Sequence, residues 1–210
     1  MASLALGVLV SGRGSNLQSI IDAIAAGTLD AHIAVVISNK EEAFGLERAK
    51  TNGISAVYID PKPFKEQPNP REAYDHAVLA ALKSYGVELV ILAGYMRIVT
   101  SVFISAFESK MMNIHPSLLP SFPGLHAQKQ ALDWGAKVSG CTVHFVTEGM
   151  DEGPIILQSA VPVLKDDTDE TLSVRILEQE HRIYPEAIQL YGEGRLIIEG
   201  RRTQIAESVK

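Results

Sequence analysis

Apolar residues recur along this chain in two alternating rhythms. Short runs rich in β-branched and aliphatic residues stand at LALGVLV (4–10), HIAVVIS (32–38), ISAVYI (54–59), VELVILA (87–93) and KMMNI (110–114). Between them lie segments with three- and four-residue apolar spacing: NLQSIIDAIAAG (16–27), AFGLERAKTNG (43–53), REAYDHAVLAALKSYG (71–86) and a short helix before KMMNI. Strands alternating with helices predict βαβ units and a parallel sheet. In the third helix Tyr74, Ala77, Val78, Ala81, Leu82 and Tyr85 form the inward stripe; Asn69-Pro70-Arg71-Glu72 reads as N-cap, first-turn proline and capping acid, and Gly86 as the stop. The preceding PKPFKEQPNP reads as a long surface loop, because the same rhythm resumes beyond it. After Trp134 the pattern changes. GCTVHFV and PIILQSAVPV, separated by TEGMDEG, predict an antiparallel pair; a long helix follows, roughly from Thr168 to Tyr191, and RLIIEG offers a last strand. The expected fold is α/β, a single doubly wound, mostly parallel sheet with an antiparallel hairpin in the C-terminal part, as one domain over 1–210.

Composition narrows the partners. With 210 residues and 46% hydrophobic content the chain can bury a sizeable core. Nineteen basic against 25 acidic residues, with no basic cluster, disfavour a long polyanion and leave open a small anion held at a local site. Cys141 is the only cysteine, so neither an intrachain disulfide nor a thiolate zinc cage can form, which suits a reducing compartment. The N-terminal apolar run lacks a preceding basic region and leads straight into SGRGSN, so it reads as a strand rather than a signal peptide; no stretch has the length of a membrane span. A cytoplasmic protein is expected.

Two stretches carry candidate chemistry. In SGRGSNLQ, after the first strand, Gly12 and Gly14 permit a tight turn while Ser15 and Asn16 stand where a helix begins, a place where exposed N–H groups attract an anion. The loop lacks the Gly-Lys-Ser/Thr of a nucleotide P-loop and the third glycine of a dinucleotide fingerprint. Two glycines can equally serve only to make the turn, with Asn16 as a cap. The second stretch is NIHPSLLPSFPGLH (113–126). Alternation along a strand makes Asn113 and His115 project together, and Pro116 ends the ladder there, so the pair is presented at the carboxyl end of a strand where open α/β sheets bind ligands. An amide and an imidazole can both donate to a developing oxyanion, which suits acyl transfer. Asp151, in the turn EGMDEG, is either the partner of His115 or simply a turn residue. His115, His126, His144 and Asp151 fit no spacing of a metal motif, so no metal is expected; His144 falls on a face of the hairpin strand and His126 in a loop.

Taken together, SGRGSNLQ, SNK…FGLERA, LAGYMRI, NIHPSLLPSFPGLHA, VHFV…MDEGPIILQ and QEHRIYP resemble the folate-dependent formyltransferase superfamily over nearly the whole chain, and most closely its glycinamide ribonucleotide branch. That resemblance implies formyl transfer from 10-formyltetrahydrofolate, as co-substrate, to the amine of glycinamide ribonucleotide in purine biosynthesis. The catalytic trio would be Asn113, His115 and Asp151, with Gly124 and His144 in support. The ribonucleotide phosphate would meet Gly14, Ser15 and Asn16, and Glu180 would face its amine or ribose. The folate would lie against Met96, Arg97, Ile98 and Val99 and under the loop from Thr147 to Asp151. The phosphoribosyl part would occupy about 1–100 and the catalytic, folate-binding part about 90–200. Leu177 is apolar where some members carry a long polar side chain towards the phosphate. A homodimer is compatible with the resemblance.

Three other readings share these features. Formylation of methionyl-tRNA and hydrolysis of formyltetrahydrofolate use the same trio, but each usually brings an appended domain for which 210 residues leave no room. A nucleotide-binding module without catalysis would need no trio at all.

Overall fold

The computed structural model describes residues 3–207. Two compact units divide it, with the boundary between Met112 and Asn113. The first contains β1 (Leu4–Val10), α1 (Ser15–Ala25), β2 (Ala31–Ser38), α2 (Phe44–Thr51), β3 (Ala56–Tyr58), α3 (Pro70–Ser84), β4 (Leu89–Leu92) and α4 (Ser101–Ala106), and β5 (Met111–His115) begins in it. The second continues with α5 (Ala127–Asp133), β6 (Val138–Phe145), β7 (Ile155–Pro162), α6 (Asp169–Gly192), β8 (Leu196–Glu199) and β9 (Arg202–Ile205). The strands form one mixed sheet in the order β3-β2-β1-β4-β5-β6-β7-β9-β8.

In the first unit β1 pairs in parallel with both β2 and β4, and β2 with β3. Leu6, Val8, Leu9 and Val10 are wholly buried, as are Leu89, Val90 and Ile91, because a parallel sheet flanked by crossover helices hides both faces. Leu17 and Ile20 of α1 and Tyr74, Val78 and Leu82 of α3 supply part of the cover. At Gly7 an added Cβ would lie 2.5 Å from Leu82 Cδ2, so the absence of a side chain admits α3 close to β1. The order β2-β1-β4 places a reversal of connectivity between β1 and β4, the place where open α/β sheets leave a crevice at the strands' carboxyl ends.

In the second unit β6 and β7 form the expected antiparallel pair, from Val138↔Pro162 to His144↔Ile155, with a register shift between Val143 and His144. β6 is buried from Ser139 to Phe145 and α6 packs on the hairpin. Two glycines let backbones meet there: a Cβ on Gly140 would fall 2.0 Å from Ser159 O, and one on Gly153 would fall 1.7 Å from Phe145 O. Helix α6 starts at Thr168, whose side chain accepts from Thr171 N while Thr171 Oγ1 accepts from Thr168 N. Just before it, Arg175 forks onto Asp167 at 2.7 and 2.8 Å, and that guanidinium, with the Leu164 N–H, holds the Asp167 carboxyl well below the usual carboxylate range.

The strand–helix rhythm predicted from the sequence is present, with local differences. Tyr85 is exposed at the C-cap of α3, and Asp75 and Leu79 join the buried stripe instead. Asn69 is the N-cap position, yet its amide bonds the Glu72 carboxylate rather than a backbone N–H. RLIIEG is not the last strand: the chain turns at Gly200 and pairs Leu196–Glu199 with Arg202–Ile205. Helix α5 was also unforeseen, because AQKQALD is short and carries little apolar periodicity; His126, expected in a loop, is its N-cap residue, at φ 59°. PKPFKEQPNP contains a single 3-10 turn at Lys62–Phe64. Among the described residues no helix is long and apolar enough to cross a membrane.

Gly153→Ala is expected to lower stability by about 3 kcal/mol, the upper end for overpacking, because the new methyl meets a carbonyl oxygen rather than a movable side chain; denaturant unfolding measures it. Asp167→Ala tests a pH-dependent contribution. The folded carboxyl titrates below its unfolded value, so its stabilisation is full above the ordinary carboxylate range and is lost as pH falls through the folded value. The variant should therefore melt below the wild type at neutral pH, and the gap should close in strong acid; a gap independent of pH would show that the ion pair does not produce it.

Candidate active site

The strand that ends at Pro116 delivers its two polar side chains as alternation requires. His115 is buried: Nε2 is hydrogen-bonded to Phe122 O at 2.8 Å, and Nδ1 faces the Asp151 carboxylate, 3.4 Å from Oδ2. Asp151 is itself held in place. Its Oδ2 accepts from Gly124 N at 2.8 Å, and its backbone adopts the left-handed region at φ 55°, which an aspartate tolerates better than most residues.

Asn113 points to a different imidazole. Its Nδ2 is 3.3 Å from His144 Nε2, and the other nitrogen of that ring, Nδ1, is 2.9 Å from Phe145 O. The carbonyl can only accept, so Nδ1 carries the proton and Nε2 accepts from the amide. Burial pushes the His144 pKa down from its ordinary value, which keeps this ring neutral and its Nε2 lone pair available. Asp151 Oδ1 lies 3.8 Å from the same nitrogen, beyond hydrogen-bond range. A primary amide has two N–H groups, and only one of them is engaged by His144. The register shift on the hairpin falls at His144, where a bulge turns a side chain that a regular ladder would aim elsewhere.

The loop carrying Phe122 O is pinned from below. Thr142, buried on β6, donates to Ser117 O at 2.7 Å and accepts from Leu119 N at 3.0 Å; Gln158, its partner across the hairpin, donates to Leu119 O at 2.9 Å. Sequence reasoning missed both residues, since the only sign of their role is a register pairing that appears once the hairpin closes. Thr147 is exposed in the turn after β6. Glu180 is buried on α6; the Cys141 thiol is pushed up to about 12, first by burial and further by the nearby Glu180 charge. Leu177 is half-buried on the same helix. Among the described residues no group of three or more His, Cys, Asp or Glu side chains is placed to hold a metal ion.

In the first unit the glycine loop opens α1 as expected, but the N-cap is Gly14, at φ 67°, and not Asn16. Helix α2 backs the loop: Gly45 N donates to Gly12 O at 3.0 Å and Arg48 Nε donates to Arg13 O at 2.9 Å. In a planar trans peptide the N–H points opposite the C=O, so these bonds turn the amides of Arg13 and Gly14 away from α2. A Cβ on Gly14 would lie 2.8 Å from Gly45 Cα. The turn after β4 exposes Met96 and Ile98, whereas Val99 is half-buried and the Arg97 guanidinium lies over the Tyr74 ring, 4.1 Å from its centroid.

Residues 5–188 match the model of the formyl transferase family. A phosphoribosylglycinamide formyltransferase of Escherichia coli (strain K12) is 45% identical over 189 residues, covering 90% of this chain and 87% of that protein. A trifunctional purine biosynthetic protein adenosine-3 of Bos taurus is 49% identical over 187 residues; the match covers 89% of this chain and 18% of the longer protein. The crystal structure of glycinamide ribonucleotide transformylase 1 from Symbiobacterium toebii superposes with a TM-score of 0.94 at 55% identity, over 98% of this chain and 95% of that one. A family match over most of the length, joined to these likenesses in sequence and in fold, means that the chain belongs to the formyl transferase family, with the phosphoribosylglycinamide formyltransferases.

Proposed function

We propose that this chain transfers the formyl group of 10-formyltetrahydrofolate to the amine of glycinamide ribonucleotide. The observation that carries the reading is the buried cluster in which Asn113 bonds a neutral His144 while His115 stands between Phe122 O and Asp151. The substrate amine attacks the formyl carbon and gives a tetrahedral intermediate with an oxyanion. The second N–H of Asn113 donates to that oxyanion, and the imidazolium charge of His115 offsets it. Asp151 balances His115, and it accepts the proton that the amine must lose, directly or through water. The carbon–N10 bond then breaks and N10 takes up a proton, so no net proton is gained or lost. No step needs a metal or a covalent bond to the protein.

The remaining assignments follow the same reading. Gly14, Ser15 and Asn16 bind the ribonucleotide phosphate, Glu180 its amine or ribose, and the turn Met96–Val99 the folate, with Thr147 and the following residues as the second folate-contacting segment. An acceptor held through one phosphate needs no broad basic surface, in keeping with a net charge of −6.

The experiment is formyl transfer from 10-formyltetrahydrofolate with three acceptors: glycinamide ribonucleotide, its dephosphorylated form and methionyl-tRNA. Transfer to the first, loss of most activity with the second and none to the third are expected; efficient tRNA formylation, or hydrolysis that outpaces transfer at saturating acceptor, would overturn the assignment. His115→Ala, Asn113→Ala and Asp151→Asn should each reduce turnover by a factor of hundreds, roughly 3–4 kcal/mol of transition-state stabilisation, with the melting temperature little changed. Gly14→Val, which drives a side chain into Gly45 and strains a left-handed residue, should raise KM for the ribonucleotide far more than KM for the folate. Equal damage to both constants would make that loop purely structural.

A further inference from the structure

The turn after β4 holds large apolar side chains in solvent: Met96 is 64% and Ile98 63% exposed. Residues so placed on a connecting segment usually move freely, yet this one is held at both ends and in the middle by the unit beneath it. At its start Ser11 N donates to Gly94 O at 3.1 Å, and Met96 N donates to Ser11 Oγ at 2.8 Å, while that hydroxyl donates to Asn39 Oδ1 at 2.5 Å. At its end the Asp75 carboxylate accepts from Thr100 N at 2.7 Å and from Thr100 Oγ1 at 2.8 Å, both on Oδ2. In its middle Arg97 stacks on Tyr74, whose hydroxyl donates to Ile59 O.

We propose that Asp75 is a positioning residue for folate binding: by gripping Thr100 from inside the first unit it fixes the Met96–Val99 turn in the form that receives the flat pterin ring. The inference deepens the proposed function and rests on its assignment of this turn. Asp75 is 2% exposed on the inner side of α3, and burial pushes its carboxyl up from the ordinary range while the two Thr100 donors act to lower it. A buried carboxylate is costly unless it is hydrogen-bonded, and here the Thr100 N–H and hydroxyl, on the residue that closes the turn and caps α4, both donate to it. Ser11 holds the other end. Held at Gly94, Met96 and Thr100, the turn is ordered on folding, so less ordering entropy is lost when it meets the ring.

The test separates positioning from general stability. Asp75→Asn and Thr100→Ala are expected to raise KM for 10-formyltetrahydrofolate about tenfold and about threefold, with KM for glycinamide ribonucleotide and kcat at saturating folate each within about twofold of wild type. Thr100→Ser restores the hydroxyl and should return the folate KM to the wild-type value. Calorimetry with tetrahydrofolate should report the same losses without turnover. If Asp75→Asn does not fold, the Thr100→Ala and Thr100→Ser pair decides. A wild-type chain that binds and uses the folate while both variants keep its KM unchanged, or variants that raise both KM values equally, would overturn the positioning role alone. A wild-type chain that neither binds tetrahydrofolate nor transfers formyl would instead overturn the proposed function, and this inference with it.

Discussion

A buried imidazole must find an acceptor for every N–H it carries, and much of the second unit is arranged around how His115 meets that requirement. Its ring bonds the backbone carbonyl of Phe122 and faces the carboxylate of Asp151, and neither is local to the strand that bears the histidine. Each must therefore be brought and held. Thr142 and Gln158 tie down Ser117 and Leu119, which fixes the loop from which Phe122 O projects. Gly124, farther along that loop, donates its N–H to Asp151, so the segments supplying the two acceptors also hold each other.

The same requirement separates the two histidines. His144 has one carbonyl acceptor on Nδ1 and a donor, the Asn113 amide, on Nε2, a pattern that suits a neutral ring, and its burial agrees with it. His115 instead has an oxygen on each side, Phe122 O bonded at Nε2 and Asp151 Oδ2 beside Nδ1. Two imidazoles near one carboxylate thus differ in their other neighbours. That contrast gives the proposed mechanism its division of labour: His144 orients an amide, and His115, beside a carboxylate, is the ring proposed to offset an oxyanion.

The first unit solves a different problem, that of presenting backbone. Its two candidate binding segments, the glycine loop and the turn after β4, leave neighbouring strands at the reversal of strand order and are linked through Ser11. Both are braced by groups behind them: Gly45 and Arg48 behind the loop, and Asp75, Tyr74 and Asn39 around the turn. Glycines occur where the bracing element must come within backbone contact, as Gly14 does against Gly45.

What the sequence determined by itself is periodic or covalent. Two-residue and 3.6-residue spacings gave away most strands and helices because burial acts on every turn and every second strand residue, and Pro116 ending β5 put Asn113 and His115 at a strand end. The weakly periodic pieces, α5 and β9, stayed hidden for the same reason: little apolar surface marks them. The resemblance carried by whole motifs nominated Asn113, His115 and Asp151 as the trio, whereas spacing alone left Asp151 open between partner and turn residue, and Asn16 open between anion site and cap. Only the tertiary structure decided that Asp151 lies beside His115, that Gly14 rather than Asn16 caps α1, that Asn113 bonds His144, and that Asp75 is buried under Thr100. Each of these is a contact between segments far apart in the chain or a backbone angle set by packing, and neither leaves a period for the sequence to show.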